Sequence, residues 1–309
     1  MFQSNISLKE YSNYKIGGPA RQFFVPKTLE ELTAGVEKAK QEKLPIFVLG
    51  GGTNLLISDK GFPGLVVKPE IMTLEGKDGV IRVGAGVSVA DLLAFTIANG
   101  LSGLEWAGGL PGTVGGAIRG NAGAFGGEIQ DVITEVVSLD IAGAPKIINR
   151  GHKESKFGYR SSIFKEKNGE EIILEATLQL QNGEKKAIQE AIESKIQYRQ
   201  ERHPMEYPNI GSIFKNVDWK DVPKEFQERF VGKMKKDPFP VLPTAVLLSE
   251  TGLKGVASGG AMFSPKHPNF IVNTQGATAE DVKKLIELAK ETVKDKFGVI
   301  LEEEVQYVE

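Results

Sequence analysis

Leu29, Leu32, Val36 and Ala39 recur at the spacing of one helical face in TLEELTAGVEKAKQEK, with Thr28 ahead of them and glutamates early in the run. That pattern predicts a helix capped by Thr28. The apolar run PIFVLG follows and reads as a buried strand. It ends in Gly50, Gly51, Gly52, Thr53 and Asn54, then LLISD. A glycine turn after an apolar strand has the shape of a phosphate cradle, and equally that of an ordinary strand-end turn. In SVADLLAFTIANG, Ser88 is the expected cap, Leu92, Leu93, Phe95 and Ile97 are the apolar positions, and Gly100 is the stop. VITEVVSLD and EIILEATLQLQ alternate as half-exposed strands do.

The texture changes near Asn182. A charged, solvent-faced helix, GEKKAIQEAIESKIQYRQERH, separates a glycine-rich half from a C-terminal half. The latter contains YPNIGSIFKN, a capped helix TAEDVKKLIELAKETVKDKFG and an expected last strand, VILEEEVQYV. On that strand Glu302 and Glu304 would share one face and Glu303 the other.

Residues 108–127 read GGLPGTVGGAIRGNAGAFGG, with nine glycines in twenty positions. Glycine loses the most backbone entropy on ordering, so such density points to positive φ or close backbone approach. Linkers favour serine, proline and charge, whereas Leu110, Val114, Ala117, Ile118 and Phe125 punctuate this run with apolar anchors. It follows no apolar strand and has no acidic residue at the distance a dinucleotide fingerprint requires. The expectation is a nest of backbone amides and carbonyls around a polar ligand.

Composition narrows the ligand chemistry. A chain of 309 residues can bury a large core and is expected to form more than one domain. Its formal charge of -2 supplies no global field to attract nucleic acid or an anionic membrane, so an anionic ligand must be held by local cations and amides. The absence of cysteine excludes disulfides and cysteine-ligated metals, and fits a reducing compartment. His152, His203 and His267 are too scattered in sequence to suggest a metal cluster. MFQSNISLKEYSNYK lacks the apolar core of a secretory signal, and no segment reaches the roughly eighteen apolar residues of a membrane span. A soluble, cytoplasmic protein is expected.

Three further constellations carry chemistry only if the fold assembles them. Arg160 lies between an aromatic and two hydroxyls in FGYRSSIF, Ser212 follows a glycine in YPNIGSIFKN, and the acidic run LEEEV lies near the end. Each alone is also what a surface turn or a solvated face looks like. Together and in order, seven segments resemble one family over nearly the whole chain, the UDP-N-acetylenolpyruvoylglucosamine reductases. They are YKIGGPA at 14–20, VLGGGTNLLISD at 48–59, LPGTVGGAIRGNAGAFGGEI at 110–129, YRSSIF at 159–164, YPNIGSIFKN at 207–216, KHPNFIVN at 266–273 and LEEEV at 301–305.

The resemblance implies an α+β protein. An FAD-binding fold of the vanillyl-alcohol-oxidase type would span 1–183, in subdomains of about 1–68 and 69–183, and an α+β substrate domain 184–309. It implies non-covalent FAD, since there is no cysteine and neither glycine segment holds a histidine. NADPH would be the hydride donor and a UDP-sugar the substrate, in peptidoglycan precursor synthesis. The cofactor-binding residues it points to are Gly50, Gly51, Gly52, Thr53, Asn54, Leu55, Gly112, Thr113, Gly115, Gly116, Asn121, Ala122 and Gly123, with backbone amides facing the pyrophosphate. Arg160 would stabilise charge on the substrate carboxylate, Glu304 would assist, and Ser212 would protonate the α-carbon. Arg199, Arg202 and Asn216 would hold the nucleotide diphosphate and sugar. No metal, membrane or nucleic acid is implied, and a monomer is expected. Another FAD oxidoreductase of the same superfamily is the alternative, although it gives no reason for the ordered YRSS, GSIFK and LEEEV matches.

The chain departs from the family pattern at Met262, where a polar residue is usual, at Val217 for a proline, and at Gln306 for an arginine beside Glu304. The short 190–215 region resembles the form without a tyrosine-bearing lid.

Overall fold

The computed structural model describes residues 1–236 and 238–309. The chain divides into two compact units. The first comprises residues 1–6, 20–51 and 63–199, and the second residues 7–19, 52–62 and 200–309. The boundary between these units falls at the end of the charged helix, and two N-terminal stretches belong with the C-terminal residues.

In the first unit, α1 (Leu29–Gln41) begins as expected, with the Thr28 hydroxyl accepting the Glu31 N–H. A four-stranded sheet has the order Gln3–Ser7, Pro19–Phe24, Phe62–Val67, Ile46–Val48, its last two members parallel. A five-stranded antiparallel sheet has the order Lys146–Gly151, Ile133–Asp140, Glu171–Gln179, Val80–Gly84, Leu74–Lys77. Its centre differs from the half-exposed strands expected. Ile172 and Leu174 join a core with Leu32 and Val36 of α1 and with Leu65 and Val67, whereas Ile173, Ala176 and Leu178 join a second core. A register shift opposite Val137 and Ser138 changes the alternation within the strand. Both faces of the sheet are therefore covered, and its central strand is buried on both sides.

The second core receives α2 (Val89–Asn99), capped by Ser88 and ended by Gly100 at φ 65°, through Leu92 and Leu93. It also receives α3 (Val114–Gly120), the one-turn α4 (Ile163–Glu166), and Ile188 and Ile192 of α5 (Lys185–Arg202). The remaining face of α5 is solvated, as its charge pattern predicts.

The second unit has one core, in which α6 (Lys224–Phe230), α7 (Thr244–Ser249) and α8 (Ala279–Phe297) take part. On α8 the stripe Val282, Leu285, Ile286, Ala289, Val293 and Phe297 is buried. Thr278 and Asp281 form a reciprocal cap at its start and Gly298 ends it. A three-stranded antiparallel sheet runs Ala257–Ser258, Ala261–Phe263, Ile271–Asn273. Tyr14 is fully buried and its hydroxyl donates to the Ile271 carbonyl at 2.8 Å. The expected last strand is shorter than its sequence suggests. Only Gln306–Val308 is a strand, parallel to Leu55–Ile57, while Glu303 makes a single bridge to Phe214.

His267 packs with His203 and Phe270, ring centroids 5.5 and 4.7 Å away, and its Nδ1 has no hydrogen-bond partner among the described residues. Burial, with Lys235 and Lys254 adding to it, lowers its pKa from 6.5 to about 4. As pH falls below 6.5 the unfolded chain takes up a proton that the folded chain refuses until about 4, so stability declines across that window. Urea denaturation at about pH 7 and about pH 5 should show a smaller stability difference for His267→Gln than for the parent protein.

Candidate functional site

The first glycine turn leaves the strand Ile46–Val48 after Leu49 has donated to the Val67 carbonyl. From residue 50 to residue 54 the backbone N–H groups donate to no acceptor among the described residues. Consecutive uncommitted amides of this kind form an anion-binding concavity. Glycine is demanded here by the protein's own backbone. A Cβ on Gly51 would lie 2.5 Å from the Cα of Gly112, and one on Gly52, at φ 64°, would lie 1.9 Å from the Tyr11 carbonyl oxygen. The Asn54 side chain donates to the Glu304 carbonyl at 3.0 Å, while its own carbonyl takes the Gln306 N–H at 3.1 Å. Leu55 pairs with Gln306 as the strand begins.

The second run contains a helix where a nest of free amides was expected. Thr113 caps α3 by accepting the Gly116 N–H, Val114 donates to Val87, and Gly115 donates to Ala85. With its first-turn amides committed internally, this run contributes shape more than hydrogen-bond donors. A Cβ on Gly115 would stand 2.8 Å from that of Ala85, whereas one on Gly116 would meet only the Thr113 hydroxyl, at 3.5 Å. Asn121 ends the helix at φ 42° and is fully buried. Its amide donates to Glu128 and to the Gly158 carbonyl, both at 2.9 Å, and its oxygen accepts the Gln130 N–H. The Asn121 side chain thus organises the loop. Ala122 donates to Ala117 and accepts from Ile129, and Gly123 opens a short hairpin with Phe125 and Gly126 at its tip.

Arg160 occupies a tight turn between Gly158 and Ser161, with φ at 55°. Its guanidinium donates to the Gly123 carbonyl at 2.8 Å, lies 4.0 Å from the Glu128 carboxylate and is 5.1 Å from the Tyr159 ring centroid. The cation is held at the second glycine run by a carbonyl and a carboxylate. Arg199 on α5 donates through Nε to the Gly108 carbonyl at 2.9 Å, and burial pulls its pKa down. Its buried Nη2 has no hydrogen-bond partner among the described residues. Such a donor fits a phosphate or carboxylate oxygen.

In the second unit the chain brings Ser212 and Glu304 together. The Glu304 N–H donates to the Ile213 carbonyl at 2.8 Å, and Lys215 N–H donates to Glu302 at 2.9 Å. The acidic run is not a uniformly solvated face, because Glu302 pairs with Lys215 and Glu303 with Lys290 and the Tyr307 hydroxyl. Burial and then Glu303 push the Tyr307 phenol upward, and the Glu303 carboxylate raises Lys290. Ser212 is half-buried and its hydroxyl makes no hydrogen bond among the described residues. The Asn216 oxygen accepts the Thr244 N–H at 3.3 Å, and Arg202 is exposed at the end of α5. Met262 is half-buried in its strand opposite Val272, and Val217 pairs with Leu242.

Residues 203–308 match the family model described as UDP-N-acetylenolpyruvoylglucosamine reductase, C-terminal domain, and residues 20–144 match an FAD binding domain. The reductase of that name from Caldanaerobacter subterraneus is 40% identical over 305 residues, spanning 98% of this chain and 92% of the relative. That from Listeria monocytogenes is 38% identical, spanning 98% and 94%. The crystal structure of the Thermus caldophilus reductase superposes over 100% of both chains with a TM-score of 0.77 at 30% identity. The chain belongs to this reductase family. Its fold is the α+β FAD-binding fold that the resemblance implied, and its cofactor is FAD. The uncommitted amides of residues 50–54 fit a pyrophosphate-bearing group, and Gly116 and Gly120, where an added Cβ would meet no close protein atom, leave room for close approach of a ligand. Among the described residues no helix is long and apolar enough to cross a membrane, and no cluster of three or more metal-ligating side chains occurs.

The matched segments KHPNFIVN and YPNIGSIFKN include Asn269, Asn273 and Asn209, three asparagines to which the sequence assigned no task. Asn269 bonds both polar groups of Phe214, Asn273 donates to the Tyr14 carbonyl, and Asn209 accepts the Gly211 N–H. The signal available was a set of asparagines among buried apolar residues, where an amide needs partners for both its ends.

The two kinds of glycine are separable by substitution. Gly51→Ala forces backbone apart and should lower the melting temperature. Gly116→Ala meets only a hydroxyl at 3.5 Å and gains helix propensity of up to about 1 kcal/mol, so its thermal stability should hold. Bound FAD, read from absorbance, is expected to fall in Gly116→Ala. Full retention would remove Gly116 from the cofactor surface.

Proposed function

We propose that this chain reduces the enolpyruvyl ether of UDP-N-acetylglucosamine enolpyruvate to UDP-N-acetylmuramate with NADPH, through non-covalent FAD, in peptidoglycan precursor synthesis. The full-length resemblance at 40% identity carries the reading, and the backbone bond from Glu304 to Ile213 gives it a chemical basis. Residues 1–183 hold the cofactor in this reading and 184–309 the substrate. The enzyme acts as a cytoplasmic monomer on small molecules, without nucleic acid or membrane.

FAD bound there would supply the hydride-transfer chemistry between NADPH and the terminal carbon of the enolpyruvyl group. Gly50, Gly51, Gly52, Thr53, Asn54 and Leu55 would hold the cofactor's pyrophosphate, and Gly112, Thr113, Gly115, Gly116, Ala122 and Gly123 would complete its binding surface, with buried Asn121 fixing the loop that carries the last two. Reduction of the double bond leaves the electron pair on the α-carbon, delocalised into the carboxylate as an enolate. Arg160 faces that charge with a guanidinium already oriented by Gly123 and Glu128, so little reorganisation is required as charge develops. Glu304 hydrogen-bonds to the same group. The Ser212 hydroxyl gives its proton to the α-carbon and is reprotonated from solvent, which completes addition of one hydride and one proton. Serine is a weak acid in water, and the basicity of the enolate and a fixed distance make the transfer feasible. Arg199, with its uncommitted Nη2, binds the diphosphate, and Arg202 and Asn216 complete the contacts to the nucleotide and sugar.

The protein should be yellow, bleach on addition of NADPH, and regain colour anaerobically with the enolpyruvyl sugar nucleotide. Failure of that substrate to recolour it while another alcohol or sugar succeeds would transfer the chain to a different substrate. Arg160→Lys keeps the charge but loses the planar fork that matches a carboxylate. Stopped-flow measurements should then show the recolouring step slowed far more than bleaching, and equal slowing would place the defect in cofactor binding.

Ser212→Ala removes the transferable proton and should leave bleaching near the parent rate while slowing recolouring by about a hundredfold to ten-thousandfold. Ser212→Cys should recover part of that loss. In deuterated water the parent enzyme should show a solvent isotope effect on recolouring and little on bleaching. Parent-like turnover by Ser212→Ala would assign protonation to another group.

A further inference from the structure

We propose that Asn269 is a positioning residue for Ser212, setting the reach of its hydroxyl through the peptide groups of Ile213 and Phe214. Asn269 is 3% exposed, and its polar atoms converge on one short segment. Its backbone carbonyl accepts the Ile213 N–H at 2.8 Å, its Oδ1 accepts the Phe214 N–H at 3.1 Å, and its Nδ2 donates to the Phe214 carbonyl at 2.9 Å. A side-chain amide can satisfy both polar groups of one residue in this way because it presents an acceptor and a donor side by side. The opposite side of the segment is held too, since the Ile213 carbonyl accepts the Glu304 N–H at 2.8 Å. Ile213 and Phe214 are themselves 0% and 1% exposed, so these bonds act where water does not compete.

The preceding flank is anchored at Asn209, whose carbonyl accepts from the Asn13 side chain at 2.8 Å, while Gly211 itself has open space beside it. Gly211 has φ 83°, a Cβ there would meet nothing within 4 Å, and its N–H is tied to the Asn209 side chain at 3.1 Å. Ser212 is thus held from both sides, and on the following side Asn269 supplies both side-chain hydrogen bonds to Phe214. Asn269 is well placed to impose that position because its own backbone is fixed. Phe270 N–H donates to the His267 carbonyl at 3.0 Å, the Phe270 carbonyl accepts from Ser264 at 2.9 Å, and the strand Ile271–Asn273 begins directly afterwards. Asn269 has its effect on the proton donor through these backbone groups and needs no contact with substrate.

This inference rests on the reading of Ser212 as the proton donor, and the test separates the two. Asn269→Asp retains volume and the acceptor for Phe214 N–H but replaces the donor to Phe214 with a carboxylate oxygen. Bleaching by NADPH and FAD content should stay near parent values, while recolouring by the enolpyruvyl substrate should slow by about a hundredfold, the scale expected for a displacement of about 1 Å. Hydrogen exchange in the peptide spanning 211–216 should become faster. As pH is lowered, protonation of the buried carboxyl restores an O–H donor toward Phe214, so recolouring should recover relative to the parent enzyme at the same pH. In a Ser212→Ala background the same change should add little further slowing. Asn269→Ala, which removes donor and acceptor together, should slow recolouring at least as much and show no recovery with pH. Parent-like recolouring in Asn269→Asp, equal loss in both half-reactions, or a full additional loss in the Ser212→Ala background would overturn the positioning role while leaving the serine assignment intact. Parent-like recolouring by Ser212→Ala alone would overturn both.

Discussion

Three hydrogen bonds in series tie the exit of the first glycine turn to the serine segment. Asn54 donates from its side chain to the Glu304 carbonyl, Glu304 donates from its backbone to Ile213, and Ile213 donates to Asn269. These residues are far apart in sequence, and buried backbone groups of this kind must find partners somewhere. Pairing them with one another makes the positions of the turn, the glutamate and the serine mutually dependent. A displacement at any member leaves a polar group unsatisfied at a cost of about 1–3 kcal/mol, so the arrangement resists small adjustments.

Glycine serves two physical purposes here. At Gly51, Gly52 and Gly115 the nearest atoms to an added Cβ are backbone or a neighbouring alanine, so the residue is required for the protein to close on itself. At Gly116 and Gly120 the protein supplies no such close contact. A surface of that second kind is open to close approach by a flat or extended ligand. The glycine density of one short run therefore combines internal packing with ligand access, and composition alone assigns no position to either.

The handling of charge is local throughout. With a net formal charge of -2 the chain has little long-range attraction for an anionic substrate. Cations are instead fixed individually, Arg160 by Gly123 and Glu128 and Arg199 by Gly108. Burial raises the cost of the Arg199 charge and strengthens its interaction with an arriving anion for the same reason, since few water dipoles screen it. The acidic run follows the same logic. Lys215, Lys290 and Tyr307 engage Glu302 and Glu303, so neighbouring glutamates of similar sequence context have different environments.

The sequence by itself determined the elements whose signals are local. The caps at Thr28, Ser88 and Thr278, the stop at Gly100 and the apolar stripe of the last helix depend on neighbours within a few residues, and each is present. Ordered motifs were sufficient to indicate the family and the FAD-binding fold. Tertiary structure decided what depends on distant partners. It covered both faces of the strand Glu171–Gln179, reduced the expected last strand to Gln306–Val308, and placed a capped helix within the second glycine run. It also committed the Asn121 side chain to Glu128 and Gly158, and gave Asn269 its bonds to Phe214. A residue's periodicity records which face of its own element is apolar, whereas the partner of a buried amide lies wherever the chain returns, and no local pattern encodes that return.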